Sequence, residues 1–291
     1  MTARHTTTIA VFAATGSQGG AVTDALLASG AQVRALLRTT DSDAARALAA
    51  RGVDLIQINL DDPQTVVDAL TGVDGFWFMT TPPGGMQNPD TAGETAQGTT
   101  LADAAAAAQV PHVVFSSVGG AERSSGVPHF DSKYLVEKHL ATLGVRTTVV
   151  RPVFFMENFR WMAPVVEDGT LVMRLPIPDE TSLQVIAVRD IGAIAAKALL
   201  STDVVPEVIE IAGDELTGSQ IAAVYGETSK LPARFEPLPL SVLDGQDDMQ
   251  KMFAWFAQTP AYQADLTQVR TIHPEVRTLK TWVEAGNTPT I

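Results

Sequence analysis

The sequence predicts an α/β protein: a doubly wound parallel sheet with a smaller C-terminal α+β lobe. Three observations carry this. Short β-branched apolar runs alternate with longer helix-patterned runs through the first half, the signature of βαβ units. A glycine-rich turn follows the first run, in Ile9-Ala-Val-Phe-Ala-Ala-Thr-Gly-Ser-Gln-Gly-Gly20. After Pro152 the rhythm breaks into proline-rich turns (LPIPDE, LPARFEPLPL) and aromatic clusters (FFMENFRW, MFAWF).

Taken in order, the apolar runs predict strands over 8–13, 32–38, 54–60, 75–80, 112–117 and 146–151. Helices are predicted over 18–29, 42–51, 63–70, 91–109 and 132–143, several preceded by Asp, Ser or Thr that can cap them. The alanine run in LADAAAAAQV reads as helix, because alanine is the best helix former and lets a helix sit close on a sheet. Right-handed crossovers then fix the winding of the sheet. The helix pattern resumes at 188–200 and a strand at 207–212, so the chain is expected to return to its first body. The expected division is 1–152 plus about 187–212 for the nucleotide-binding body, and about 153–186 plus 213–291 for a substrate lobe.

Composition narrows the function. With 291 residues, 45% apolar and 18% charged, the chain can bury a sizeable core. A formal net charge of -13 argues against direct nucleic-acid binding, which needs a basic footprint. The absence of cysteine excludes disulfides, thiol catalysis and Cys metal sites, so a redox role must use a bound cofactor. The five histidines form no HExxH or other compact ligand set, and no metal site is expected. Glycines interrupt the first apolar run too early for a signal core or a membrane helix, so a cytoplasmic location is expected.

The strand, turn and helix start at 8–20 put free backbone N–H groups and a helix dipole where a pyrophosphate can bind. Ala14, Thr15, Gly16, Ser17, Gln18 and Gly19 are the candidate contacts; the alternative is a plain strand-to-helix turn. Gly16 and Gly19 fill the last two positions of a G-x-x-G-x-x-G spacing whose first position is Ala13. If that position needs a positive φ, alanine costs about 1 kcal/mol there. At the end of the second strand, where NAD-specific folds place an acid, stands Arg38, whose guanidinium suits a 2′-phosphate and favours NADP(H). The alternative is a solvated arginine paired with Asp41 or Asp43.

AATGSQGG, LLR ending at Arg38, NLDDP, FMTTPP, VVFSSVGGA, HFDSKYLVEKHL, RPVFFMENF and AGDELTGSQIA occur in this order. Together they resemble the NmrA-like, HSCARG-like group of atypical short-chain dehydrogenases, over roughly the whole chain. The resemblance implies a Rossmann domain, an NADP-binding cleft and a small C-terminal lobe. The group includes NADPH-dependent reductases and redox-sensing regulators. It implies that Thr80, Thr81 and Pro82 lie beside the adenosine and ribose, the alternative being a plain turn, with Asn59 and Leu60 near the adenine and Asn59 replacing the family's usual acid. Pro152 and Phe155 are then expected to run past the nicotinamide, with Phe154, Phe155 and Asn158 facing the substrate; the alternative for the aromatics is core packing.

Typical short-chain dehydrogenases use a Tyr-x-x-x-Lys pair and a serine. Here His129 stands at the tyrosine position, with Lys133 four residues on. Lys133 is expected to hold the ribose and stabilise developing negative charge; the alternative is an exposed lysine paired with Glu137. His129 is a candidate proton donor; the alternative is a histidine that only satisfies a turn ahead of the helix. Tyr134 lies about 100° around the helix from Lys133 and reads as packing. Ser116 and Ser117 end the fifth strand, one of them reaching nicotinamide or substrate.

The leading expectation is an NADPH-dependent oxidoreductase passing hydride to an apolar small-molecule acceptor, a carbonyl, quinone or enone. The competing one is a non-catalytic NADP(H)-sensing regulator; a weaker one is an isomerase or epimerase on the same fold. No membrane or direct nucleic-acid partner is expected, while a homodimer or a regulatory protein partner fits either leading reading.

Overall fold

The computed structural model describes residues 7–85, 89–201, 204–258 and 260–287. The chain builds β1 (Thr8–Phe12), α1 (Ser17–Ala28), β2 (Gln32–Leu37), α2 (Asp43–Ala50), β3 (Asp54–Gln57), α3 (Pro63–Leu70), β4 (Gly75–Met79), α4 (Thr91–Ala107), β5 (Val113–Ser116), α5 (Pro128–Thr142) and β6 (Thr147–Pro152). It continues with β7 (Phe154–Phe155), β8 (Val165–Glu167), β9 (Thr170–Leu175), β10 (Leu183–Ile186), α6 (Val188–Leu200), β11 (Val208–Ile211), β12 (Asp214–Leu216), α7 (Gly218–Ser229), β13 (Ala233–Pro237), α8 (Asp247–Phe256), α9 (Leu266–Ile272) and α10 (Leu279–Trp282).

Seven parallel strands form the central sheet in the order β11-β6-β5-β4-β1-β2-β3. The winding runs outward through β2 and β3, then reverses at β4, so the crevice between the carboxyl ends of β1 and β4 is the topological switch point. Period-2 alternation feeds two separate cores. Ile9, Val11, Trp77 and Val114 face one way, into the layer that contains Val22, Leu26, Ile191 and Ile194. Ala10, Phe12, Phe76, Phe78 and Phe115 face the other, where ring centroids lie 5.2 Å apart for Phe76–Phe78 and 4.8 Å for Phe78–Phe115. On the first face α6 lies so close to α1 that a Cβ at Gly192 would come within 2.4 Å of the Ala21 carbonyl carbon.

Two small three-stranded sheets, β12-β10-β7 and β13-β9-β8, form the additional lobe with α7 and the C-terminal helices. Thr217 and Gln220 close a capping box at the start of α7.

The structure corrects several boundaries. Helix α5 begins at Pro128 rather than at 132, so His129 sits in its first turn and not in a loop before it. Proline at the first helical position is pre-set for helix, which accounts for the early start. The first strand stops at Phe12 because Ala13 turns to φ +52°. The third stops at Gln57, beyond which Asn59 and Asp62 form an isolated bridge.

Candidate functional site

The turn after β1 is closed by Ala13 N–H to Leu36 O (3.2 Å) and Gly16 N–H to Ala13 O (2.9 Å). Gly16 is the N-cap of α1 and no side chain of the described residues caps that end; the first-turn N–H groups have no intrahelical acceptor. Thr15, Gly16 and Ser17 are exposed, while Ala14, Gln18 and Gly19 are buried. A Cβ at Gly19 would fall 2.3 Å from Ala13 O, so the helix can approach the strand only with glycine there. Ser116 Oγ donates to Gln18 Oε1 (2.7 Å), fixing the side chain that points from the turn toward the strand edge.

Arg38 is exposed at the end of β2, its carbonyl accepting from Gln57 Nε2 at 3.2 Å. The partners weighed for it are engaged elsewhere: Asp41 accepts from the Thr39 hydroxyl, and Asp43 pairs with Arg46 at 2.5 Å. Among the described residues the Arg38 guanidinium has no hydrogen bond or ion pair. Asn59 is exposed and spends its Oδ1 on the Asp61 N–H (3.1 Å), a turn contact that competes with an adenine role; Leu60 beside it is half-buried.

A cleft of about 550 Å³ opens at the carboxyl edge of the sheet, against the lobe. Gln18, Thr80, Thr81, Pro82, Ser117, His129, Lys133, Pro152, Phe154, Phe155 and Asn158 all line it, so the structure brings most of the predicted residues to one place. Ala14, Thr15, Gly16, Ser17, Gly19, Arg38, Asn59, Leu60 and Ser116 are not in its lining; they belong to the ends of β1, β2 and β5, the turn at the start of α1, and the segment after β3.

Lys133 is buried, contrary to the exposed alternative, and its pair is not Glu137, which is bound by Arg151 at 2.6 Å. Its ammonium reaches Glu94 Oε1 (2.5 Å), Thr80 O (2.7 Å) and Thr80 Oγ1 (3.2 Å). Glu94 is wholly buried and accepts also from Ser132 Oγ (2.6 Å) and Thr80 Oγ1 (2.9 Å). The pair is thus satisfied on both sides, and the three donors of Lys133 are committed within the protein. Tyr134 does not line the cleft; Lys138 Nζ sits 5.0 Å from its ring centroid.

His129 is buried with its ring edge-on to Phe130 (4.7 Å), and its Nδ1 lies 2.5 Å from Asp248 Oδ2 of α8. Ser117 is buried and among the described residues its hydroxyl has no hydrogen-bond partner, an orphaned polar atom on the cleft wall. Phe154 serves mainly the core, packed on Phe159, Phe253 and Phe256, whereas Phe155 is half-buried. The lobe adds an apolar wall that position-by-position reading missed: Met249, Met252, Phe253 and Tyr262, with Leu238, Val242 and Leu243. Trp161 stands at this lining with 91% of its surface exposed. The signal for this wall was the aromatic clustering of the second half; its partners could not be read.

The NmrA-like family model matches residues 5–283, nearly the whole chain. The chain belongs to the NmrA-like family. Among curated relatives it is 30% identical over 236 residues to an NAD(P)H azoreductase of Xenophilus azovorans, covering 80% of this chain and 77% of that protein. It is 31% identical over 186 residues to the NmrA-like family domain-containing oxidoreductase FrzB of a Cladobotryum species, covering 58% of this chain and 55% of that one. The chain thus spans about half the length of FrzB. In fold it is similar to the NADPH-dependent quinone oxidoreductase QOR2 of Escherichia coli, solved with NADPH: TM-score 0.78 at 23% identity, over 95% of this chain and 99% of that one. No helix among the described residues is long and apolar enough to cross a membrane.

Proposed function

We propose that the chain is an NADPH-dependent oxidoreductase that reduces a flat, apolar acceptor such as a quinone, enone or aromatic carbonyl. The observation that carries this reading is the cleft: apolar walls from both bodies, with an unpartnered buried hydroxyl at Ser117 on the strand edge. The residues present fit NADP(H). The uncapped start of α1 with the Gly16 and Gly19 turn would hold the pyrophosphate, and the unengaged Arg38 the 2′-phosphate. Thr81, Pro82 and Pro152 would border the cofactor, with Ser117 bonding nicotinamide or acceptor. The bound nicotinamide supplies hydride; every other requirement falls to this chain.

Thr80 and Lys133 take a different role from the one their positions suggest. Held by Glu94, the ammonium is a fixed group under the cleft that orders the Thr80 backbone, and a ribose contact would have to displace its longest bond, 3.2 Å to Thr80 Oγ1. Phe155, Asn158 and Trp161 would receive the acceptor; the azoreductase and quinone oxidoreductase relatives support a planar conjugated one.

The test is a titration with NADPH and NADH in parallel, followed by NADPH oxidation against a panel of quinones, enones and aromatic aldehydes. Tight NADPH-selective binding with turnover is expected. Binding without turnover on any acceptor would favour a sensing role, and no binding to either nucleotide would remove both.

A further inference from the structure

The geometry points to a two-residue proton-delivery unit that spans the two bodies: His129 gives its Nε2 proton to the acceptor oxygen, and Asp248, from the lobe, is the positioning residue that makes Nε2 the donor. The inference rests on the oxidoreductase reading and deepens it.

The Asp248 carboxylate makes two contacts with one residue. Its Oδ1 accepts from the backbone N–H of His129 (3.0 Å) and its Oδ2 lies 2.5 Å from Nδ1 of the same side chain. The first contact supplies an end cap that α5 lacks on its own, since Val127 at the N-cap offers no side-chain acceptor. The second fixes the ring. A carboxylate oxygen accepts this contact, so Nδ1 carries its hydrogen and Nε2 is the ring nitrogen left to meet a bound molecule. Phe130, edge-on at 4.7 Å and itself held by Trp255 at 5.3 Å, closes the ring's other side. Asp248 is 3% exposed, so the contact is not a loose surface pair. His129 lines the cleft, and Nε2 has no protein partner among the described residues. Lys133 lies one turn further along α5, but its donors are committed to Glu94 and Thr80, which leaves proton delivery to the imidazole.

The step balances. The acceptor takes hydride with its electron pair from NADPH, which leaves as NADP+, and one acceptor oxygen becomes negative. The Nε2–H bond of the imidazolium breaks, the proton forms the new O–H, and the electron pair stays on Nε2. Solvent returns a proton to Nε2 after product leaves.

The first test needs neither cofactor nor acceptor. Nitrogen NMR of histidine-labelled protein, with His129 assigned through His129→Gln, should show the neutral ring carrying hydrogen on Nδ1. In Asp248→Asn the amide oxygen keeps the helix cap while its N–H faces Nδ1, so the ring should switch to the Nε2–H tautomer. A neutral wild-type ring that carries its one hydrogen on Nε2 and none on Nδ1 would overturn the inference. The second test follows turnover of a quinone: Asp248→Asn and His129→Gln should each lower kcat about 100-fold, with KM and the NADPH Kd within about twofold of wild type. Wild-type turnover with both variants within about threefold overturns the donor role alone. Absence of wild-type turnover overturns the oxidoreductase reading and, with it, the donor role. A parallel loss in kcat and NADPH affinity would assign Asp248 a structural role only and reject the unit.

Discussion

The carbonyl oxygen of Ala13 lies where a side chain on residue 19 would have to go: a Cβ there would stand 2.3 Å away. The two residues set the geometry of the glycine-rich turn, and both carry a backbone constraint. Ala13 holds φ +52°, the left-handed region in which L side chains crowd the following carbonyl. Ala13→Gly should raise stability by about 1 kcal/mol and tighten NADPH binding, read by thermal unfolding and by titration. Gly19→Ala should weaken NADPH binding at least about tenfold, because helix and strand must separate. Unchanged Kd values in both variants would reject the turn as the phosphate site.

Arg38 has no partner of its own among the described residues, so removing it leaves no buried acid behind. Arg38→Ala should raise the NADPH Kd by about ten- to a hundredfold and move the NADH Kd by less than about twofold. Equal effects on both cofactors would assign the selectivity elsewhere.

The Lys133–Glu94 pair makes a prediction about stability that is independent of activity. Lys133→Met strands a wholly buried carboxylate and should cost about 3–5 kcal/mol in urea unfolding. Adding Glu94→Gln should recover most of that loss, giving strong coupling in a double-mutant cycle. Additive effects would mean that the two groups do not sense each other.

His112, buried against Thr148 Oγ1 at 2.9 Å, is pushed down to about 4, first by burial and then by the nearby Arg146 charge. The unfolded chain therefore binds this proton at higher pH than the folded one. The contribution is complete above the unfolded value of 6.5 and is lost as pH falls toward about 4. We expect a loss on the order of 2 kcal/mol over that window, allowing for partial solvation, seen as the difference between wild type and His112→Gln in chemical unfolding at pH 7 and pH 4. Parallel pH dependence in the two proteins would discard the effect.

Local pattern made the sheet legible. Period-2 runs such as Ile9 to Phe12 and Phe76 to Phe78 have one face for each core, and α3 and α6 fall where the apolar spacing put them. The glycine-rich turn was legible for the same reason, since strand, glycines and helix start are contiguous in sequence. The partners of the cleft residues were not. Glu94 is 39 residues from Lys133, and Asp248 is 119 from His129, separations over which no local pattern pairs two residues. Asp248 stands next to Asp247, and nothing local in that pair marks Asp248 as the buried member. The early start of α5 has a local mark in Pro128, whereas the acid that caps its first turn, Asp248 of α8, has none.

Three of the four tryptophans, Trp77, Trp255 and Trp282, are buried at 0%, 6% and 1% exposure, whereas Trp161 is 91% exposed at the lining of the cleft. The molecule thus carries its own optical reporter. Light emitted at the red edge of its fluorescence comes from one indole at the entrance, and a planar acceptor that stacks there should quench or blue-shift that component alone, allowing occupancy to be followed in an unlabelled protein.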